Sequence, residues 1–144
     1  MDTPKILIVE DLPANNALYR EVFTAAGFTV MLTANADDDF VAAVAAFAPD
    51  IISMDIMIGS STGVVERDGF DAIALLKADA RTAHIPIIVL TNFSDDAKIA
   101  RAKALGAVDY IVVQGQSIKA LPERFNAYLK SPRRYQSVHP AFRS

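Results

Sequence analysis

The chain is expected to fold as an α/β domain: a doubly wound, five-stranded parallel sheet with helices on both faces. Three observations carry this expectation. Short apolar runs such as Lys5–Val9, Ile51–Met54 and Ile85–Leu90 recur without the alternation of a half-exposed strand, as in strands covered on both faces. Segments of helical period separate them, so strand and helix alternate five times. Carboxylates stand where two of the apolar runs end, at Glu10-Asp11 and at Asp55.

Taken in order, Lys5 to Val9 is the first strand. Pro13 suits the first turn of the helix that follows, where Leu18, Val22 and Ala25 or Ala26 recur on one face until Gly27 ends it. Phe28 to Thr33 is a second strand nearer an edge. Asn35 is expected to cap the next helix, with Asp37, Asp38 and Asp39 in its first turn, where the helix dipole favours negative charge. Pro49 stops that helix and the run to Asp55 forms the third strand. Gly59 to Arg67 makes a long βα connection, expected to be a flexible insertion. The helix from about Asp68 carries Phe70, Ile73, Leu76 and Lys77. Ile85 to Leu90, closing on Thr91-Asn92, is the fourth strand. Ser94 is expected to cap a helix with Asp95 and Asp96 first and Lys98, Arg101 and Lys103 later, ending at Gly106. Asp109 to Val113 is the last strand and Ile118 to Leu129 the last helix, with Pro122 obscuring its start. Residues 1–130 form one domain on this reading. The tail 131–144 has Arg133, Arg134 and Arg143 but no acid, and is expected to be solvated, with a partner contact as the second reading.

Composition narrows the functional classes. The chain has 144 residues, enough for one domain that buries about two thirds of its unfolded surface. A net charge of −3 offers no electrostatic case for direct nucleic-acid binding. Without cysteine, neither a disulfide framework nor a thiolate metal site can form. No apolar run approaches the roughly 20 residues that span a bilayer, and the amino terminus lacks the apolar core of a signal peptide. A cytoplasmic protein without membrane contact is expected.

The flavodoxin-like (βα)5 strand order 2-1-3-4-5 places the first and third strands side by side at the switch point, where open α/β sheets bind ligands. Glu10, Asp11 and Asp55 then meet in one crevice. Taken alone, Asp55 also suits a turn cap; the second acidic site, placed the same way, argues for a crevice. Crowded carboxylates take up a proton or hold a hard cation, and Mg²⁺ suits such an oxygen site. An Asp beside Mg²⁺ can act as a nucleophile toward phosphorus, with the metal offsetting charge on the phosphoryl oxygens. Thr91 has a hydroxyl to offer such a phosphate.

Ile6-Leu7-Ile8-Val9-Glu10-Asp11, Pro13-Ala14-Asn15, Asp50 to Asp55, Asp68-Gly69-Phe70, Arg81 to Thr91 and Gly106 to Ile111 occur in the order found in receiver domains of two-component response regulators, which the chain resembles over about residues 4–130. The resemblance implies that Asp55 is the phosphoacceptor, that Glu10, Asp11 and Asp55 hold Mg²⁺ together with the backbone carbonyl of Met57, and that Thr91 follows the phosphate. Tyr110 is then the switch aromatic, although an aromatic also suits an edge strand for packing alone. The implied donor is a histidine kinase or phosphotransfer protein. The implied output is contact with a downstream protein or a second copy through the face made by the fourth helix, fifth strand and fifth helix. Such a domain is a phosphoacceptor rather than an enzyme in its own right.

Three departures from the pattern matter. Receivers carry a lysine at the end of the fifth strand, where Val113 stands here, followed by Gln114. Gly59 replaces a proline after Asp55. Asn92 follows Thr91 where the family prefers a very small residue. A phosphoryl group carries between one and two negative charges that the lysine normally offsets, so its absence weakens the expected response. The alternative is a pseudo-receiver, a docking or dimerisation module indifferent to phosphate. The acidic crevice, Asp55 and Thr91 favour the phosphoacceptor. An FMN site is disfavoured because Glu10-Asp11 repels phosphate, and a haloacid-dehalogenase-type phosphatase because Met57 stands where its second acid belongs.

Overall fold

The computed structural model of the chain describes residues 3–58 and 68–143; the expected insertion 59–67 lies outside them. Five strands, β1 (Lys5–Val9), β2 (Thr29–Thr33), β3 (Ile51–Met54), β4 (Ile87–Thr91) and β5 (Asp109–Val112), form one sheet. They are parallel throughout, in the order β2-β1-β3-β4-β5. The helices are α1 (Pro13–Ala25), α2 (Phe40–Phe47), α3 (Gly69–Ala78), α4 (Asp96–Ala104) and α5 (Leu121–Lys130). The class and strand order expected from the sequence are those observed. Among the described residues no helix is long and apolar enough to cross a membrane.

The apolar core lies in two layers, one on each face of the sheet. One holds Leu7, Ile52, Phe70, Ile73, Val89 and Tyr110; the other holds Ile6, Phe23, Ile51, Ile88, Ile111 and Phe125. Residues adjacent in a strand fall into opposite layers because side chains alternate across a sheet. Both sides are covered, so β3 and β4 are buried at every position and must read as continuous apolar runs.

Several local expectations need correction. In α1 the buried residues are Tyr19 and Phe23, while Leu18 is 41% exposed. One residue rotates a helix by about 100°, and burying the two aromatics removes more apolar surface than burying Leu18. Residues Asp37–Asp39 precede α2 rather than opening it: the Asn35 side chain accepts from the Asp37 amide at 3.3 Å, and helical backbone begins at Phe40. This local turn competes with the helix for the same backbone. The cap of α4 is Asp95, not Ser94; its carboxylate accepts from the Lys98 amide at 3.0 Å. Pro122 is accommodated because a 3₁₀ turn at Ile118–Ala120 leads into α5 at Leu121, which places the proline in the first helical turn, where its missing N–H goes unused.

The largest correction concerns the carboxyl-terminal segment. Residues 131–143 fold back on the domain instead of extending into solvent. Ser137 is buried, and Phe142 packs against the layer that contains Tyr110. The anchor is Asp109, a fully buried carboxylate that accepts from the amides of Val138 at 2.7 Å and His139 at 3.1 Å and from the Tyr135 hydroxyl. The guanidinium of Arg143 donates to the Ser137 carbonyl at 2.9 Å, so this charge closes the segment on itself.

Candidate functional site

Register brings the acidic residues together. Val9 of β1 pairs with Met54 of β3, so Glu10 and Asp55, each one residue further on, leave the sheet side by side. The Asp55 amide donates to the Val9 carbonyl at 3.0 Å, and the Glu10 amide to Thr33 at 2.9 Å, which ties both backbones to the sheet. Carboxylate oxygens of Glu10, Asp11 and Asp55 lie within 4.8 Å of one another. Thr91, the last residue of β4, donates its hydroxyl to Asp55 Oδ1 at 2.8 Å, and the Met57 amide approaches the same oxygen at 3.3 Å. Glu10, Asp11, Tyr19, Asp55, Met57, Thr91, Asn92 and Val113 all line one crevice at the carboxyl ends of the strands.

The electrostatics follow from crowding and burial. Burial, and next the charge of Asp55, push Glu10 from its ordinary 4.5 up to about 7, against hydrogen bonds from Asn15 and Leu12 that favour the ionised form. Burial also raises Asp55, opposed by hydrogen bonds from Glu10, Thr91 and Met57. Without a cation the two carboxyls therefore hold on to a proton well above the usual carboxylate range, as carboxyls crowded in one crevice do. A divalent cation fits the same donor set. The oxygens are hard, and opposite ligands of Mg²⁺ stand about 4.2 Å apart at its usual bond length, comparable with the spread here.

Four residues bear on this arrangement that the sequence reading left without a role. Asn15 donates to Glu10 Oε1 at 3.1 Å and Asn16 to the Glu10 carbonyl at 2.9 Å, fixing the glutamate from the first turn of α1. Tyr19 turns into the crevice, and burial together with the charges of Glu10 and Asp55 holds its phenol above the ordinary range, so it stays neutral. Gly69 opens α3 directly against the acidic loop. A Cβ there meets the Asp55 carbonyl oxygen at 2.2 Å and the Ile56 Cα at 2.6 Å, and the Gly69 amide donates to Ile56 at 2.6 Å. Contact of backbone with backbone is what excludes a side chain. The Asp68-Gly69 pair signalled this position; asparagines after a helix start did not.

Among the described residues no lysine or arginine lines the crevice. Val113 follows β5 directly, its amide donating to the Thr91 carbonyl at 2.8 Å; it borders the crevice and packs against the core layer of Ile6 and Phe125. Lys98 does not replace the lysine, because its ammonium pairs with Asp95 at 2.9 Å. Arg101 lies instead over the Phe70 ring, 4.4 Å from its centre. Asn92 lines the crevice and accepts from the Gln114 amide at 3.1 Å. Tyr110 is fully buried; its hydroxyl donates to the Phe93 carbonyl, two residues after Thr91, and burial with the charges of Asp95 and Asp55 pushes it up to about 12.

Comparison with known proteins agrees with this geometry. The family described as response regulator receiver domain matches residues 6–120. The transcriptional regulatory protein YvrH of Bacillus subtilis is 32% identical over 137 residues, covering 95% of this chain and 53% of YvrH. The chain thus spans about half the length of the transcriptional regulators it matches. The protein PilH of Pseudomonas aeruginosa is 31% identical over 107 residues, 74% of this chain and 83% of PilH. A crystal structure of the receiver domain of a signal transduction histidine kinase from Syntrophus aciditrophicus superposes with a TM-score of 0.71 at 27% identity, covering 96% of this chain and 99% of that one. Five parallel strands in this order, with the acidic crevice at their carboxyl ends and a family match across most of the chain, identify the protein as a member of the response regulator receiver domain family of two-component signalling.

Proposed function

We propose that the chain accepts a phosphoryl group on Asp55 from a phosphohistidine of a histidine kinase or phosphotransfer protein, with Mg²⁺ held by Glu10, Asp11, Asp55 and the Met57 carbonyl. The observation that carries this reading is the convergence of three carboxylates within 4.8 Å, one of them bonded to the Thr91 hydroxyl. In the reaction an Asp55 oxygen forms a bond to phosphorus as the P–N bond to the donor imidazole breaks and the imidazole keeps the electron pair. Asp55 is half-buried in the crevice, and the hydrogen bonds it accepts from Thr91 and Met57 orient the carboxylate in advance. When bound, the metal supplies electrostatic stabilisation of the phosphoryl oxygens. The Thr91 hydroxyl is then free to donate to the phosphoryl group instead of to Asp55. Output is read by a protein on the face of α4, β5 and α5, or by a second copy there. A partner responds only if it binds the two states unequally.

One observation favours the alternative, a docking module indifferent to phosphate: Val113 lines the crevice where a cation is expected. Incubation with Mg²⁺ and a small phosphoramidate, read by intact mass beside an Asp55→Asn control, decides between them. Gain of one phosphoryl group by the parent alone supports the acceptor. No gain, with no binding of beryllium fluoride, supports the docking module.

A further inference from the structure

The carboxyl-terminal segment lies across the face on which receiver output has just been proposed. From the end of α5 it passes the edge strand β5 and reaches α4. At α5, the rings of Tyr128 and Tyr135 meet edge to face, 5.3 Å between centres. At β5, Asp109 accepts from the Val138 and His139 amides and the Tyr135 hydroxyl, as well as from its own neighbour Tyr110 at 2.7 Å. At α4, the Lys103 ammonium donates to the Ala141 carbonyl at 2.7 Å.

Asp109 gives this contact its force. A fully buried carboxylate is costly unless its oxygens are satisfied. Three of its four donors belong to the segment, and among the described residues no lysine or arginine forms an ion pair with it. If the segment leaves, that carboxylate is stripped of most of its partners and must meet water. Docked and released are therefore distinct states, not a continuum of loose contact. Tyr110 joins this contact to the acidic crevice. Its hydroxyl holds the Phe93 carbonyl in the loop after Thr91, and its ring lies 5.9 Å from that of His139 and 6.5 Å from that of Phe142.

We propose that residues 135–142 are a built-in ligand of the α4–β5–α5 face, which Tyr110 loosens when Asp55 is phosphorylated, so that an output partner competes with the chain's own segment. The coupling to phosphate rests on the phosphoacceptor reading; occupancy of the face does not. The test is amide hydrogen exchange on the full chain, followed at Val138 and His139. In the parent both amides are expected to exchange slowly, and in Asp109→Asn at least about tenfold faster, because hydrogen bonds to a charged acceptor are lost. Tyr135→Phe removes one donor, leaves the carboxylate in place and gives a smaller acceleration without risk to the fold. Beryllium fluoride with Mg²⁺ is expected to accelerate the same amides severalfold in the parent, its binding confirmed by a bound ¹⁹F signal. Rapid exchange in the untreated parent, or no effect of either substitution, overturns the occupancy. A bound ¹⁹F signal with unchanged exchange overturns the coupling. No bound ¹⁹F signal counts against the phosphoacceptor reading and takes the coupling with it, while the two variants still decide the occupancy.

Discussion

Replacing Asp55 with Asn removes one charge from the crevice while keeping the shape of the side chain and an oxygen for Thr91. In the metal-free protein the rise of Glu10 from 4.5 to about 7 is equivalent to about 3 kcal/mol of stability withheld once that group ionises. The sign follows from the direction: a carboxyl whose folded pKa is raised supports the fold at low pH and loses that contribution as pH climbs from about 4.5 through about 7. Burial is the larger cause and persists in the variant; the charge of Asp55 does not. Asp55→Asn is therefore expected to be more stable than the parent by about 1–2 kcal/mol at pH 8 in EDTA, and nearly equal to it at pH 5. In a domain of this size that is a rise of a few degrees in Tm, roughly 2–4 °C per kcal/mol. Urea denaturation at the two pH values measures it directly. Mg²⁺ at a hundredfold excess over its Kd adds about 2.7 kcal/mol to the parent. It adds less to the variant, which has lost a ligand, so the order of stability narrows or inverts. Equal stability at pH 8 in EDTA, or the same difference at both pH values, refutes the idea that these carboxyls oppose one another.

Gly69→Ala should destabilise by on the order of 3 kcal/mol or fail to fold, since the new Cβ overlaps the Asp55 carbonyl; chemical denaturation reports it. Val113→Lys brings an ammonium to the crevice: it should raise metal-free stability at pH 8 by about 1 kcal/mol and slow loss of the phosphoryl group from Asp55. An unchanged phosphoryl lifetime would show that the missing cation does not limit this state. Thr91→Ala removes the donor to Asp55 and should leave phosphoryl uptake within about tenfold while abolishing the response at Tyr110, seen by NMR of the ring. Below about pH 7, Mg²⁺ affinity should fall because Glu10 must release its proton before it binds the metal; calorimetry in two buffers of different ionisation enthalpy detects that proton.

The parts of this molecule that could be read from its sequence are those fixed by short-range pattern. Uninterrupted apolar runs identified the covered strands, and a parallel register then carried Glu10 to Asp55 across 45 residues without any contact being known in advance. The departure at Val113 is legible only through the resemblance to receiver domains, which places a lysine at the end of the fifth strand. What could not be read depends on partners remote in sequence or on competition between local options. Asp109 opens a strand; three of its four donors lie 26 to 30 residues later, in a segment whose arginines point to solvent. Asn35 and Ser94 both have the chemistry of a cap. At α4 the neighbouring Asp95 takes the Lys98 amide instead, and at α2 the Asn35 side chain accepts from the Asp37 amide, ahead of the helix that begins at Phe40. Tyr19 carried no signal, since an aromatic at helical spacing ordinarily fills a core.

The placement of the tyrosines has a practical consequence. The chain contains four and no tryptophan. Tyr19 borders the acidic crevice, Tyr110 spans from the loop after Thr91 to the returning segment, and Tyr128 and Tyr135 meet edge to face where that segment leaves α5. Excited at the tyrosine band, beyond phenylalanine absorption, the unlabelled protein thus emits from the crevice and from the carboxyl-terminal segment. A titration watched in an ordinary fluorimeter records those two regions and is blind to the rest of the fold.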